Sequence, residues 1–244
     1  LHRRRHSFPT RRSSDLPFYP YARQDKKGRG REPISARLMA DLFKTAGADR
    51  IMSVDLHAAQ IQGFFDGPVD HLFAMPVLLE HFRAQLDPST LTVVSPDMGR
   101  VRVADIWSEK LGAPLAIIHK RRDPKVHNQV TVHEIVGEVS GRVCLLVDDM
   151  IDTGRTIVKA AEALVANGAI GVVVAATHAV FSDPACEILQ SEFISAVVVT
   201  DTLPVPEEKR FEKLTILPIA PLLASAIHEV FEEGSVTSMF DGAA

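Results

Sequence analysis

The chain has 244 residues, 46% hydrophobic and 24% charged, with a formal net charge of −4, the composition of an ordinary globular protein with material for one large domain or two small ones. That charge excludes a general attraction to nucleic acid or acidic lipid, so a polyanionic ligand must be held by local basic residues. The two cysteines, Cys144 and Cys186, sit in apolar contexts without CxxC spacing; this argues against a zinc or disulfide framework and fits a reducing cytoplasm, and the longest apolar runs, such as 171–176, are too short to span a bilayer.

In chain order, residues 1–16, LHRRRHSFPTRRSSDL, are rich in Arg and Ser and lack the apolar stretch of a secretory signal. They are expected to be a non-native or disordered leader outside the fold, although a transit peptide has a similar composition. Ile34, Leu38, Leu42 and Phe43 predict a helix ending at Gly47, and residues 50–56 a short strand. A helix over 75–86, with Pro76 in its first turn, leads to a strand over 91–97. A helix over 101–112 closed by Gly112 leads to a strand over 114–120, and residues 121–133, poor in apolar pattern and carrying Pro124, read as a mobile loop. Strands over 142–148, 171–180, 196–201 and 214–219 alternate with helices over 156–168, 184–191 and 220–234, with a polar connection at 202–212. Aliphatic strands alternating with amphipathic helices predict an α/β fold with parallel sheets covered on both faces.

In open parallel sheets, ligands bind beyond the carboxyl ends of the strands. The residues following each strand there include Asp55 and His57, Asp97, the cations Lys120, Arg121 and Arg122, the acids Asp148, Asp149 and Asp152, and Asp201. Acids and bases gathered at one sheet edge point to a phosphorylated ligand with a divalent metal. In Asp152-Thr153-Gly154-Arg155-Thr156, a helix start offers free N–H groups and a positive dipole end, and Gly154 permits a tight turn. The plainer alternative is that Asp152 or Thr153 caps the helix, but a cap would not require Asp148 and Asp149. Taken singly, the other groups also have plain readings: Asp55–His57 as a structural pair sharing one strand face, the Lys120–Arg122 run as a solvated surface, Asp66 and Asp70 as turn residues beside Gly67-Pro68.

VDDMIDTGRT, 147–156, resembles the phosphoribosyl pyrophosphate loop of phosphoribosyltransferase-type folds. The stretches 21–50, 53–72, 93–104 (VVSPDMGRVRVA), 117–130 (IIHKRRDPKVHNQV) and 235–240 (SVTSMF) are similar to the ribose-phosphate pyrophosphokinase family. The resemblance implies two phosphoribosyltransferase-like (Rossmann-like) domains with parallel sheets, the first incomplete: a remnant over 17–70 plus 228–244, and a second domain over 71–227 holding the ribose 5-phosphate site. It implies transfer of the β,γ-diphosphate of ATP to the 1-hydroxyl of ribose 5-phosphate, with Mg²⁺ as cofactor, in a cytoplasmic homo-oligomer (a hexamer in the family) that has neither nucleic acid nor membrane as a partner.

Residue by residue, it implies ATP contacts for Arg23 and Gln24; metal-site roles for His57 and Asp97, with Asp55, Asp66 and Asp70 in the metal-binding stretch; and catalytic roles for Lys120 and Arg122. Ribose 5-phosphate would be held by Arg122, Asp148, Asp152, Thr153, Gly154, Arg155 and Thr156. Two departures stand out. Arg155 occupies a position that is small in the family, where it would be strained if that position needs φ > 0. The chain also enters the first domain late, so residues 1–244 alone are expected to turn over little. A nucleobase phosphoribosyltransferase and a catalytically silent regulatory subunit are the alternatives; the first leaves 55–65 and 119–124 unexplained, and retention of His57, Asp97, Lys120 and Arg122 argues against the second.

Overall fold

A computed structural model describes residues 13–122 and 131–240. The chain divides into two compact units, one of residues 1–73 and 221–244, the other of 74–220. Among the described residues, no helix is long and apolar enough to cross a membrane.

In the first unit, β1 (Ser13–Leu16), β2 (Arg50–Val54) and β3 (Val69–Leu72) form a parallel sheet in that order. Ser13 pairs with Arg50 and Leu16 with Ser53, so residues 13–16 belong to the sheet and not to a leader outside the fold. Helix α1 (Ser35–Thr45) joins β1 to β2 and turns Ala36 and Ala40 inward. Ala36 lies in a cluster with Tyr19, Leu56 and Ile61, and Ala40 in one with Ile51 and Phe65. Two alanines one turn apart let the helix approach closely. The Tyr19 hydroxyl donates to the Ala36 carbonyl at 2.8 Å, and burial pushes its pKa up to about 12.

The second unit carries a seven-stranded sheet. Its strands are β4 (Leu91–Ser95), β5 (Leu115–Arg122), β6 (Thr131–Val136), β7 (Val143–Ile151), β8 (Gly171–Ala179), β9 (Ala196–Thr200) and β10 (Leu214–Leu217), in the spatial order β10-β9-β8-β7-β4-β5-β6. All pairings are parallel except β5 with β6. Helices α2 (Met75–Gln85), α3 (Val101–Leu111), α4 (Arg155–Ala166) and the short α5 (Ala185–Ile188) connect the strands. Helix α6 (Ala220–Phe231) opens at the boundary and runs into the first unit. On α4 the buried residues are Ile157, Ala160, Ala161 and Leu164, the i, i+3, i+4, i+7 stripe of a helix packed on a sheet. Every residue of β4 is buried, as a strand covered on both faces requires.

Two sequence expectations change here. Residues 121–133 are not one loop: β5 continues to Arg122 and β6 begins at Thr131, antiparallel, with Arg122 opposite Thr131. Residues 123–130 lie outside the described part. The helix expected over 184–191 shortens to one turn, residues 185–188.

Candidate functional site

The strand order reverses between β7 and β4, since the chain progresses outward through β8, β9 and β10 on one side and β5 and β6 on the other. Such a switch point opens a crevice at the carboxyl ends of the two central strands. Pairing of β4 with β7 stops at Val94–Leu146, while β7 stays paired with β8 as far as Ile151–Ala179. The acids Asp148 and Asp149 therefore lie inside β7, which overruns its expected end at residue 148, on a stretch that β4 no longer accompanies.

Arg100 sits over this gap. Its Nε is 3.4 Å from Asp148 Oδ1, and its Nη2 bonds Asp149 Oδ2. The backbone N–H of Asp149 also donates to Asp148 Oδ1 at 2.9 Å. Burial, reinforced by the neighbouring Asp149 carboxylate, pushes Asp148 up to about 8, against the opposing pull of Arg100.

After Ile151 the chain turns through Asp152, Thr153 and Gly154 into α4. Gly154 is left-handed, with φ of 72°, and a Cβ there would stand 3.3 Å from the Leu189 side chain. Helix α4 starts at Arg155 rather than Thr156, with Gly154, which has no side chain, in the N-cap position. Its first N–H groups and the positive end of its dipole suit an anion. Arg155 and Thr156 are exposed in the first helical turn. Arg155 is not among the residues of positive φ, so the strain expected for it is absent; the left-handed residue is Gly154.

At the end of β4, Ser95 Oγ donates to the Asp97 carbonyl at 2.7 Å, and Asp97 Oδ1 accepts the Gly99 N–H at 2.8 Å, opening a 3₁₀ turn over Met98–Arg100. Asp97 is half-buried. Lys120 and Arg122 lie on the backbone of β5, and their side chains fall outside the described part. Asp201 accepts the Ile219 N–H at 2.7 Å, a structural role.

In the first unit, Arg23 and Gln24 are exposed on a turn whose Gln24 carbonyl accepts the Ala36 N–H at 3.2 Å. Asp55 has a φ of 41° and donates its N–H to the Leu72 carbonyl at 2.8 Å. β2 ends at Val54, so strand alternation does not place Asp55 and the half-buried His57 on one face as expected. Asp66 is exposed in the turn before Gly67 and Pro68. Asp70 is in β3, not in a turn, and its Oδ2 lies 2.7 Å from Arg50 Nε; burial raises its pKa and Arg50 opposes the rise. That ion pair leaves Asp70 a poor candidate for a metal. Among the described residues, no three His, Cys, Asp or Glu side chains converge as a metal cage.

Sequence reasoning missed Arg100 and His71. The first follows a strand end, but nothing in MGR states that its side chain turns back toward β7. His71 lies on the unforeseen β3 and accepts the Leu56 N–H through Nε2 at 2.9 Å. Burial lowers its pKa, so it is held as the neutral ring that this acceptor role needs.

A parallel α/β sheet with an acid pair at its switch point and a left-handed glycine turn beside it is a fold of the phosphoribosyltransferase type. Residues 10–47 match the family model for the N-terminal domain of ribose phosphate pyrophosphokinase, and residues 123–241 the phosphoribosyl synthetase-associated domain. The ribose-phosphate pyrophosphokinase of Streptomyces avermitilis is 67% identical over 226 residues, covering 93% of this chain and 70% of that protein. That of Mycobacterium tuberculosis H37Rv is 61% identical over 228 residues, with coverage of 93% and 70%. The crystal structure of phosphoribosylpyrophosphate synthetase from Mycobacterium smegmatis superposes with a TM-score of 0.83 at 57% identity, over 92% of this chain and 72% of that one. The chain belongs to the ribose-phosphate pyrophosphokinase family.

Proposed function

We propose that the chain transfers the β,γ-diphosphate of ATP to the 1-hydroxyl of ribose 5-phosphate, releasing AMP and phosphoribosyl pyrophosphate. The observation that carries this reading is the left-handed Gly154 turn into α4, set directly after an acid pair at the sheet's switch point. The N–H groups of Gly154, Arg155 and Thr156 bind the 5-phosphate, with the Asp152 and Thr153 side chains beside them. An anion at a helix start gains about 0.3–1 kcal/mol from the dipole, before its hydrogen bonds are counted. Asp148 accepts from the ribose hydroxyls, which fixes the rotation of the sugar about its phosphate. Arg23 and Gln24 hold the nucleotide. Lys120 and Arg122 supply positive charge to the diphosphate as negative charge spreads over its oxygens, a role that positioning and electrostatics suffice to fill.

The carboxylate of Asp97, with one oxygen taken by Gly99 N–H, suits Mg²⁺, a hard cation that takes oxygen ligands and keeps several waters. In this reading the ion is held mainly through substrate phosphates and water, and His57 nitrogen is a poor direct ligand for so hard a cation. When bound, Mg²⁺ neutralises phosphate charge. Assembly into a homo-hexamer and a cytoplasmic setting belong to the same reading.

A single-turnover assay, with protein in excess over labelled ATP so that slow chemistry registers, tests it. AMP and phosphoribosyl pyrophosphate are expected in equal amounts, only when ribose 5-phosphate is present. AMP formed without the sugar, or none with it, would refute the reading.

A further inference from the structure

We propose that Arg100 is a positioning residue for the sugar: by bridging Asp148 and Asp149 across the gap that opens between β4 and β7, it holds the Asp148 carboxylate where it meets the ribose hydroxyls. This rests on the reading of Asp148 as a ribose ligand.

The geometry follows from where the ladder stops. Neighbouring residues on a strand point to opposite faces, so one group bonding both Asp148 and Asp149 must approach from the strand edge. That edge is covered by β4 as far as Leu146 and not beyond. Arg100 arrives there because its backbone is held in place. The 3₁₀ turn over 98–100 is pinned by Asp97 accepting the Gly99 N–H at 2.8 Å and by Ser95 bonding the Asp97 carbonyl at 2.7 Å, and it runs straight into α3 at Val101.

The guanidinium is shielded, with the Arg100 side chain 16% exposed and Asp149 5% exposed. A planar fork spanning two carboxylates restricts rotation of both, which an ammonium on a flexible stem does less well. Asp149, the more buried acid, is the anchor. Asp148, at 20% exposure and a longer 3.4 Å contact, is the more accessible acid. With Arg100 gone, the bridge between the two acids is lost, and Asp148 is free to take another rotamer. Backbone hydrogen bonds from the Phe181 N–H to the Ile151 carbonyl and from the Val158 N–H to the Gly154 carbonyl, both at 3.0 Å, hold the two ends of the phosphate turn.

The test is equilibrium binding to the 244-residue chain by calorimetry, using ribose 5-phosphate and inorganic phosphate as separate probes. Arg100→Met is expected to weaken ribose 5-phosphate by about tenfold or more, the scale of one charge-assisted hydrogen bond, and to leave inorganic phosphate within about twofold. Arg100→Lys is expected to recover part of the loss. Unchanged ribose 5-phosphate affinity in Arg100→Met overturns the proposal. Equal weakening of both probes overturns it as well, because that is the mark of general damage to the fold. Asp148→Asn separates the underlying reading: if it leaves ribose 5-phosphate binding intact, the assignment of Asp148 itself fails, whatever Arg100 does.

Discussion

At the residue scale, the phosphate turn depends on one left-handed residue, and its identity had to be seen. The glycine requirement sits at Gly154, and Arg155 one position later takes helical backbone. Gly154→Ala combines a left-handed alanine with a Cβ 3.3 Å from Leu189, so urea unfolding should show a loss of about 1–2 kcal/mol. Arg155→Gly removes no strain; it should leave stability level or lower it by less than about 1 kcal/mol, and a gain in stability would contradict the assigned backbone. Asp148 supports a second prediction, on pH. Its native pKa of about 8 lies above the ordinary 3.8. From pH 4 to 8 the unfolded chain therefore sheds a proton that the native state keeps, and stability from this group falls as pH rises, levelling off above 8. Asp148→Asn should match the parent near pH 4 and exceed it in urea midpoint near pH 8.5. A difference independent of pH would sink this. The residue types of this site were legible in VDDMIDTGRT, because acids beside a glycine turn have few uses. Their partners were not, since Arg100 stands 48 and 49 positions before the acids it binds.

At the element scale, the central strands of the larger sheet and their long helices were legible because buried strands are aliphatic throughout and α3 and α4 carry clean helical stripes. The strands that escaped notice lie at sheet edges. β3 carries Asp70 and His71, and β6 carries His133 and Glu134; polar residues are tolerated at an edge, and they erase the apolar run that marks an interior strand. Strand ends failed for a related reason. β7 runs past residue 148 because β8 accompanies it to Ala179, and no local signal records a partner's length. Beyond the shortened α5, a distant side chain ties down the connection to β9. Lys213 Nζ donates to the carbonyls of Ser191 at 2.8 Å, Ile194 at 2.7 Å and Gln190 at 3.2 Å. The ammonium thus serves carbonyls that lie beyond the end of α5. Lys213→Met keeps most of the apolar stem and removes the donors, so it should cost about 1–3 kcal/mol in urea unfolding. A loss below about 0.5 kcal/mol would mean that water replaces the lysine without penalty.

At the scale of the whole molecule, the two units carry different aromatic reporters. The single tryptophan, Trp107, is 4% exposed on α3 in the second unit, whereas both tyrosines, Tyr19 and Tyr21, are in the first. Tryptophan fluorescence therefore follows the unit that contains the Asp152–Thr156 turn and the Arg100 bridge. A ligand that binds only the native state stabilises it by an amount set by its concentration over Kd, about 2.7 kcal/mol at a hundredfold excess. Ribose 5-phosphate at that excess should move the Trp107 unfolding transition upward in urea by the corresponding amount. Inorganic phosphate should move it less at equal concentration, because it engages the turn without the acid pair. Thr153→Val, which removes a hydroxyl donor from the turn, should diminish both shifts, whereas Asp148→Asn should bring the sugar phosphate's shift down toward that of phosphate alone. If Asp148→Asn instead left the two ligands as far apart as in the parent, the sugar would be recognised elsewhere, and the switch point would hold no more than an anion.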